Sequence, residues 1–122
     1  MYKVLIMGGR PGLEEDLTSA LDKNEFNVTS VPDISQATRG LDKSQPDIVI
    51  LNVESKSTDS WDVCRKLHLK LGIPVIILGK DTSENAWIKT VQVGADLYLR
   101  RPFGRSELAA RVKAILRRYK KP

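Results

Sequence analysis

The chain alternates short apolar runs with segments whose apolar residues recur at the spacing of a helix. Short apolar runs bounded by turn-forming residues are typical of strands buried in a parallel sheet. The runs predict five strands, at Lys3–Met7, Asn27–Val31, Asp47–Val53, Pro74–Leu78 and Asp96–Leu99. The third of these is the most apolar segment of the chain.

A helical stripe follows each predicted strand. Pro11 is suited to open the first helix, Asp33 to cap the second and Gly94 to end the fourth. The five stripes are Leu13–Leu21, Asp33–Leu41, Val63–Leu71, the segment that carries Ile88 and Val91, and Leu108–Leu116. Five strand–helix units joined by right-handed crossovers predict an α/β fold, a doubly wound five-stranded parallel sheet with helices on both faces.

In this architecture, ligands and chemistry lie beyond the carboxyl ends of the strands. The segments expected at that edge are Gly8–Arg10, Asn52–Glu54, Gly79–Lys80 and Arg100–Pro102. They contain glycine, asparagine, lysine and arginine, with Glu54 as the carboxylate. Four cations, Arg10, Lys80, Arg100 and Arg101, therefore outnumber the one carboxylate at the edge where a functional site is expected.

The overall composition narrows the class of protein. A length of 122 residues fits one domain with one core, and no apolar run approaches the ~20 residues that cross a bilayer. Cys64 is the single cysteine, which excludes an internal disulfide and fits the reducing cytoplasm. The formal charge of +5 is concentrated near the C-terminus, where a solvated helix end is favoured over a phosphate-binding tail.

Three segments resemble the receiver domains of two-component response regulators: Pro46–Leu51, Ile73–Leu78 and Gly94–Phe103. The C-terminal helix, Glu107–Arg118, is similar to the OmpR/PhoB-like branch, which carries a winged-helix DNA-binding domain. The resemblance covers residues 1–118 and implies the CheY-like, flavodoxin-like strand order 2-1-3-4-5. Residues 119–122 are expected to begin a linker or tail.

The resemblance also implies a site that this chain does not keep. Receivers hold Mg²⁺ with two acids after the first strand and take the phosphoryl group on an aspartate that ends the third strand. A hydroxyl residue and a lysine follow the fourth and fifth strands. The corresponding positions here are Gly8 and Gly9 for the acids, Asn52 for the acceptor, Gly79 for the hydroxyl and Arg101 for the lysine. Tyr98 keeps the aromatic identity of the switch position.

Each of these differences removes part of the phosphoryl-transfer chemistry. An amide cannot form the acyl phosphate that a carboxylate forms. Two glycines supply no carboxylate oxygens for a hard cation. The sequence therefore predicts a pseudo-receiver without enzymatic activity, metal or cofactor. It is expected to act as a phosphorylation-independent signalling module of a cytoplasmic transcription regulator, which forms a dimer or binds a protein partner. It is expected to contact DNA only through a separate output domain and to make no membrane contact.

Two alternatives stay open at the basic edge. The acidic pocket of the family is replaced here by a basic one, formed by Arg10, Lys80, Arg100 and Arg101. Such a pocket could bind an anionic metabolite, which would make the domain a small-ligand sensor. Arg101 could instead reach Glu54 or Asn52 and tie the loops together.

The resemblance places dimer contacts on the fourth helix, fifth strand and fifth helix. Two charge pairs across a twofold axis are expected at these positions: Lys89 with Glu107, and Asp96 with Arg111. Leu97 stands where the resemblance implies a third acidic residue. Separately, Trp61 and Trp87 are predicted to be half-buried cover for the sheet, with a role as a partner anchor as the alternative for either, and Cys64 is predicted to lie in the core. The sequence therefore predicts a homodimer through this face.

Overall fold

A computed structural model describes residues 1–8, 12–31, 45–52, 59–67, 72–79, 84–100 and 103–119. The strands are β1 Tyr2–Met7, β2 Phe26–Val31, β3 Ile48–Asn52, β4 Val75–Gly79 and β5 Leu97–Arg100. The described helices are α1 Leu13–Ala20, α2 Asp59–Lys66, α3 Glu84–Val93 and α4 Arg105–Tyr119. The predicted second helix, residues 33–41, lies outside the described residues, so α2, α3 and α4 correspond to the third, fourth and fifth predicted helices.

The five strands form one sheet in the order β2-β1-β3-β4-β5, with every neighbouring pair parallel. This confirms the predicted doubly wound fold. Asn52 at the end of β3 lies opposite Leu78, and Gly79 at the end of β4 lies opposite Arg100. The ends of β3, β4 and β5 therefore meet at one edge of the sheet.

Alternate residues of the strands bury against opposite layers, because successive side chains in a strand point to opposite faces. Ile48 and Ile50 join a core cluster with α1 and α4, whereas Val49 and Leu51 join a second cluster that includes α2. Cys64 lies in the second cluster with no exposed surface, which confirms its predicted place in the core. Burial, and then the charge of Asp96, raise the pKa of its thiol to about 12. No helix within the described ranges is long and apolar enough to span a membrane.

Two aspartates, each just before a strand, form hydrogen bonds to the backbone of the neighbouring strand where the strand pairing begins. The Asp47 carboxylate accepts a bond from the Lys3 N–H at 2.7 Å, and the Asp47 N–H donates to the Lys3 carbonyl at 2.8 Å. Asp96 repeats this arrangement with Val75, at 3.0 and 2.9 Å. Each carboxylate satisfies a backbone donor at the start of a strand, a group that is costly to leave unpaired. Asp96 therefore has a structural role within its own chain.

The buried face of α3 differs from the one that the sequence predicts. The structure buries Ala86, Thr90 and Val93, and it leaves Trp87, Ile88 and Val91 exposed by 58%, 45% and 63%. Thr90 can be buried because its hydroxyl donates to the Ala86 carbonyl at 2.8 Å. The prediction of half-buried cover is wrong for Trp87. It is confirmed for Trp61, which is partly buried against the second core cluster.

Candidate functional site

Asn52 occupies the position where the resemblance places the phosphoacceptor. It is the last residue of β3 and only 3% of its surface is exposed. Its Nδ2 donates to the Gly8 carbonyl at 2.8 Å. The amide orientation follows from this bond, since the opposite orientation would set two oxygen acceptors against each other. Asn52 therefore ties the end of β3 to the end of β1.

The other atom of this amide is left without a partner. Asn52 Oδ1 is buried and makes no hydrogen bond within the described part of the chain. It is an acceptor, so a hydrogen-bond donor rather than an anion would satisfy it. The arrangement holds an amide in place and presents no nucleophile.

Gly8 contributes its backbone to this edge of the sheet. Its φ of 70° lies in the left-handed region, which favours glycine over residues with a side chain. Its N–H donates to the Val31 carbonyl of β2 at 3.0 Å, while its carbonyl accepts from Asn52 of β3. One glycine thus links the strands on either side of β1, a role that the sequence did not reveal.

Gly79 and Tyr98 lie against each other at the same end of the sheet. A Cβ placed on Gly79 would lie 3.0 Å from the Tyr98 Cζ and 3.2 Å from its Cε2, and closer still to the hydroxyl oxygen. Tyr98 is half-buried and packs against the second core cluster. The ring therefore fills the volume where a side chain at position 79 would begin.

The residues described at this edge do not fit Mg²⁺. Mg²⁺ is usually bound through carboxylates, but Gly8 and Asn52 supply a carbonyl and an amide that already bond to each other. No cluster of three or more histidine, cysteine, aspartate or glutamate residues that could hold a metal occurs in the part of the chain described. Two residues of the predicted site, Gly9 and Arg101, lie outside the described residues. The same holds for three residues of the alternative hypotheses, Arg10, Lys80 and Glu54. Arg100, at the end of β5, is exposed.

The predicted interface residues separate into different environments. Glu107 and Arg111 are exposed one turn apart on α4, and Leu97 is partly buried against the first core cluster. Lys89 is exposed on α3, and its Nζ lies 5.7 Å from the centroid of the Trp61 ring. The structure thus directs Lys89 towards α2, an orientation that the predicted pair with Glu107 did not anticipate.

Asp96 is engaged on both carboxylate oxygens. Oδ2 accepts from the Val75 N–H, and Oδ1 accepts from the Tyr119 hydroxyl at 2.7 Å. Tyr119, expected to begin a tail, is the last residue of α4. Partial burial, followed by the bond to Asp96 and its charge, raises the pKa of Tyr119 to about 12. The end of α4 is thereby fastened to the segment that precedes β5.

Replacing Tyr119 by phenylalanine tests this link. At pH 7 we expect Tyr119→Phe to lower the free energy of unfolding by about 0.5–1.5 kcal/mol, the usual net value of one hydrogen bond. The neutral phenol is favoured in the folded state, since its pKa is raised above the ordinary 10.0. Its contribution is therefore complete below about pH 10 and is lost as the pH rises towards 12. Between pH 7 and 11.5, the free energy of unfolding from denaturant titrations should fall less steeply with pH in Tyr119→Phe than in the unsubstituted chain. Parallel curves for the two chains would contradict the hydrogen bond between Tyr119 and Asp96.

Comparison with known proteins agrees with the fold and the sequence pattern. Residues 4–113 match the family model of the response regulator receiver domain. The chain is 34% identical over 116 residues to the DNA-binding response regulator MtrA of Mycolicibacterium smegmatis, covering 95% of this chain and 51% of that protein. It is 34% identical over 118 residues to the sensory transduction protein RegX3 of Mycobacterium bovis, covering 97% and 52%. The chain thus spans about half the length of these curated relatives.

Solved structures show the same fold. The receiver domain of the Francisella response regulator 1452 superposes with a TM-score of 0.84 at 24% identity, covering 98% of this chain and all of that one. DrrB, an OmpR/PhoB homologue from Thermotoga maritima, gives 0.84 at 24% identity over 99% of this chain and 55% of its own. With the matched family model and the two curated relatives, these findings show that the chain belongs to the response regulator receiver family.

Proposed function

We propose that this receiver domain signals without being phosphorylated, as an interaction module of a transcription regulator. The observation that carries the proposal is the bond from Asn52 Nδ2 to the Gly8 carbonyl at 2.8 Å. It puts a buried amide donor at the acceptor position, where phosphoryl transfer needs a carboxylate nucleophile. Gly8 and Asn52, the residues described at this position, supply neither a carboxylate nucleophile nor a carboxylate ligand for a cation.

The relatives support the regulatory context of the proposal. One of them is named as a DNA-binding response regulator, and this chain matches about half of its length. In the proposal, an output domain makes the contact with DNA in the cytoplasm, and the receiver domain controls how two copies associate. The receiver domain itself acts as a binding module and not as an enzyme.

The surface proposed for association is the α3–β5–α4 face, defined here by Trp87, Ile88, Val91, Leu97, Glu107 and Arg111. Lys89 and Trp87 lie on opposite flanks of α3, because positions two apart in a helix are separated by about 200°. Lys89 approaches Trp61 of α2, so Trp87 and Val91 lie on the flank turned away from α2, towards β5. Three neighbouring apolar side chains exposed by 45% or more are the kind of patch that marks an interaction site.

Charges on α4 are suited to orient such an association. Glu107 and Arg111 lie one turn apart, so a twofold axis near them would let each residue meet its opposite in the second copy. Asp96 is less suited to pair with Arg111, since both of its oxygens already accept hydrogen bonds within the chain. The apolar residues are therefore expected to contribute most of the affinity, and the charges mainly the orientation.

The proposal is tested by intact-protein mass spectrometry after incubation with acetyl phosphate and Mg²⁺. We expect no phosphoryl adduct, while a receiver domain that keeps the acids and the acceptor aspartate becomes modified in parallel. A stoichiometric adduct on this chain would overturn the proposal. Of the four basic residues in the acidic-metabolite alternative, Arg100 is exposed at the end of β5, and Arg10, Lys80 and Arg101 lie outside the described ranges. Asn52 Oδ1, which makes no hydrogen bond within the described residues, suits a donor instead of an anion.

A further inference from the structure

A groove opens at the edge of the sheet opposite to Asn52, where β1 and β2 begin. It has a volume of about 380 Å³ and lies between the starts of these strands and the last turns of α4. The residues that line this amino-edge groove are Tyr2, Glu25, Phe26, Lys113, Leu116 and Arg117. None of them takes part in the proposed function, so the groove is a separate candidate for binding.

The floor of the amino-edge groove is apolar and aromatic. Tyr2 and Phe26 lie opposite each other in the pairing of β1 with β2, and their ring centroids are 5.5 Å apart. Phe26 and Leu116 are buried, whereas Tyr2 is partly exposed. An aromatic ring offers a large and rigid apolar surface. A large apolar side chain of a partner could therefore pack on the exposed part of Tyr2.

Hydrogen bonds hold the wall of the groove at the turn before β2. The Asp22 carbonyl accepts from the N–H groups of Glu25 and Phe26, at 3.0 and 2.9 Å. The Tyr2 N–H donates to the Glu25 carbonyl at 2.7 Å, which joins the turn to the start of β1. A wall that is ordered in the free protein lowers the entropy cost of binding.

The opposite wall, on α4, carries two cations without a partner. Lys113 and Arg117 are exposed one turn apart, and neither forms an ion pair or a side-chain hydrogen bond with another residue of the described chain. Glu25 is the one carboxylate that lines the groove, and it comes from the turn before β2. The α4 side of the groove therefore favours an anionic group, and the side of Glu25 favours a hydrogen-bond donor.

This pattern of charge and shape selects the kind of partner. A second depression of about 540 Å³ shares Tyr2 and Glu25 with the groove, so the two together form an elongated surface. An elongated surface with an apolar centre suits an extended peptide segment, whose backbone N–H groups can donate to Glu25. The chain's own Lys120 and Lys121 carry the same charge as the α4 wall, which disfavours them as the occupant.

We propose that the amino-edge groove binds an extended segment of a partner protein in which an acidic side chain lies next to a large apolar one. The carboxylate of the partner accepts from Lys113 and Arg117, and the apolar side chain packs on Tyr2. The groove is thus a second interaction surface of this domain, and it does not depend on the α3–β5–α4 face.

The test is a selection of phage-displayed random peptides on the unsubstituted chain, with counter-selection on Arg117→Glu to remove peptides that bind elsewhere. We expect the enriched peptides to carry an aspartate or glutamate close to a phenylalanine, tryptophan or leucine. Arg117→Glu should raise the dissociation constant of a synthetic copy by about tenfold or more. Arg118→Glu is the matched control, because it makes the same charge change at an exposed residue that does not line the groove. It should change the dissociation constant by less than about twofold.

NMR locates the bound peptide and separates the outcomes. Amide shifts on adding the peptide should concentrate at Tyr2, Phe26 and Leu116. No enriched peptide, enriched peptides without an acidic residue, or equal loss of binding in the two variants would overturn this inference. Self-association weakened by Arg117→Glu and not by Arg118→Glu would make a second copy of this chain the occupant and would overturn it as well. None of these results alters the response to acetyl phosphate, which tests the proposed function separately.

Discussion

Asn52→Asp is expected to destabilise the domain by about 3 kcal/mol or more at pH 7, the scale of an uncompensated buried charge, instead of creating a phosphoacceptor. Asn52 is 97% buried, and its Nδ2 donates to the Gly8 carbonyl. An ionised carboxylate at this position loses that donor and sets a negative oxygen against the carbonyl oxygen. Gly8, the hydrogen-bond partner of Asn52, contributes only its backbone, so it supplies neither a compensating positive charge nor a carboxylate ligand for a cation.

The pH dependence identifies the cause of this destabilisation. Burial raises the pKa of the introduced carboxyl above its unfolded value of about 3.9. Its protonated form can donate to Gly8, so the cost should be small near pH 4 and should grow as the pH rises. Denaturant titrations at pH 4 and pH 7 measure the difference. Asn27→Asp, on the exposed side of β2, is the matched control and should change stability by less than about 0.5 kcal/mol.

A variant as stable as the unsubstituted chain at pH 7 would show that Asn52 does not tie β3 to β1. The same variant is also expected to remain unmodified by acetyl phosphate and Mg²⁺, because restoring the acceptor alone does not restore the cation ligands. A phosphoryl adduct on Asn52→Asp would mean that other residues of the chain hold the cation.

Val91→Asp is expected to weaken self-association more strongly than a change at any single charge of the α3–β5–α4 face. Val91 is 63% exposed, so a charge there should leave the fold of the monomer intact. Burying such a side chain contributes on the order of 1–2 kcal/mol to the free energy of association. In a twofold-symmetric dimer the residue is buried in both copies, so this contribution is made twice. Sedimentation equilibrium should therefore show a dissociation constant raised by about 30-fold or more.

Arg111→Glu and Leu97→Asp should also weaken association. The effect of Arg111→Glu should be smaller than that of Val91→Asp, because exposed charge pairs contribute about 1 kcal/mol or less. Lys113→Glu is the matched control for the arginine. It makes the same charge reversal on α4, but Lys113 lines a groove with Tyr2 and Phe26, away from β5. Equal effects of Lys113→Glu and Arg111→Glu would indicate a general charge effect in place of a defined face.

The sequence predicts the sheet better than it predicts the surfaces of the helices. β3 and β4 are recognisable because a strand buried on both faces is a nearly continuous apolar run, and both are aliphatic up to their last residues, Asn52 and Gly79. In α3, two stripes satisfy the helical period: the larger apolar residues Ile88 and Val91, and the smaller set Ala86, Thr90 and Val93. The second stripe is buried: Ala86 is small enough for close packing, and the Thr90 hydroxyl donates to the Ala86 carbonyl within the helix.

The positions of the site could be predicted, and its contacts could not. The resemblance located Gly8, Asn52, Gly79 and Tyr98, and topology brings the ends of their strands to one edge. The Asn52–Gly8 bond and the ring of Tyr98 over Gly79 depend on side-chain rotamers and on the local backbone, which spacing along a chain does not encode. The role of Asp96 could not be predicted for the same reason. An aspartate at this position could form a charge pair across an interface or a hydrogen bond to the backbone of β4, and the sequence does not distinguish the two.

The central claim is that association of this domain does not depend on phosphorylation. The most direct measurement is sedimentation equilibrium of the unsubstituted chain over a wide concentration range, with and without acetyl phosphate and Mg²⁺. We expect reversible self-association with the same dissociation constant under both conditions. Association that appears or strengthens only when acetyl phosphate and Mg²⁺ are present would contradict it.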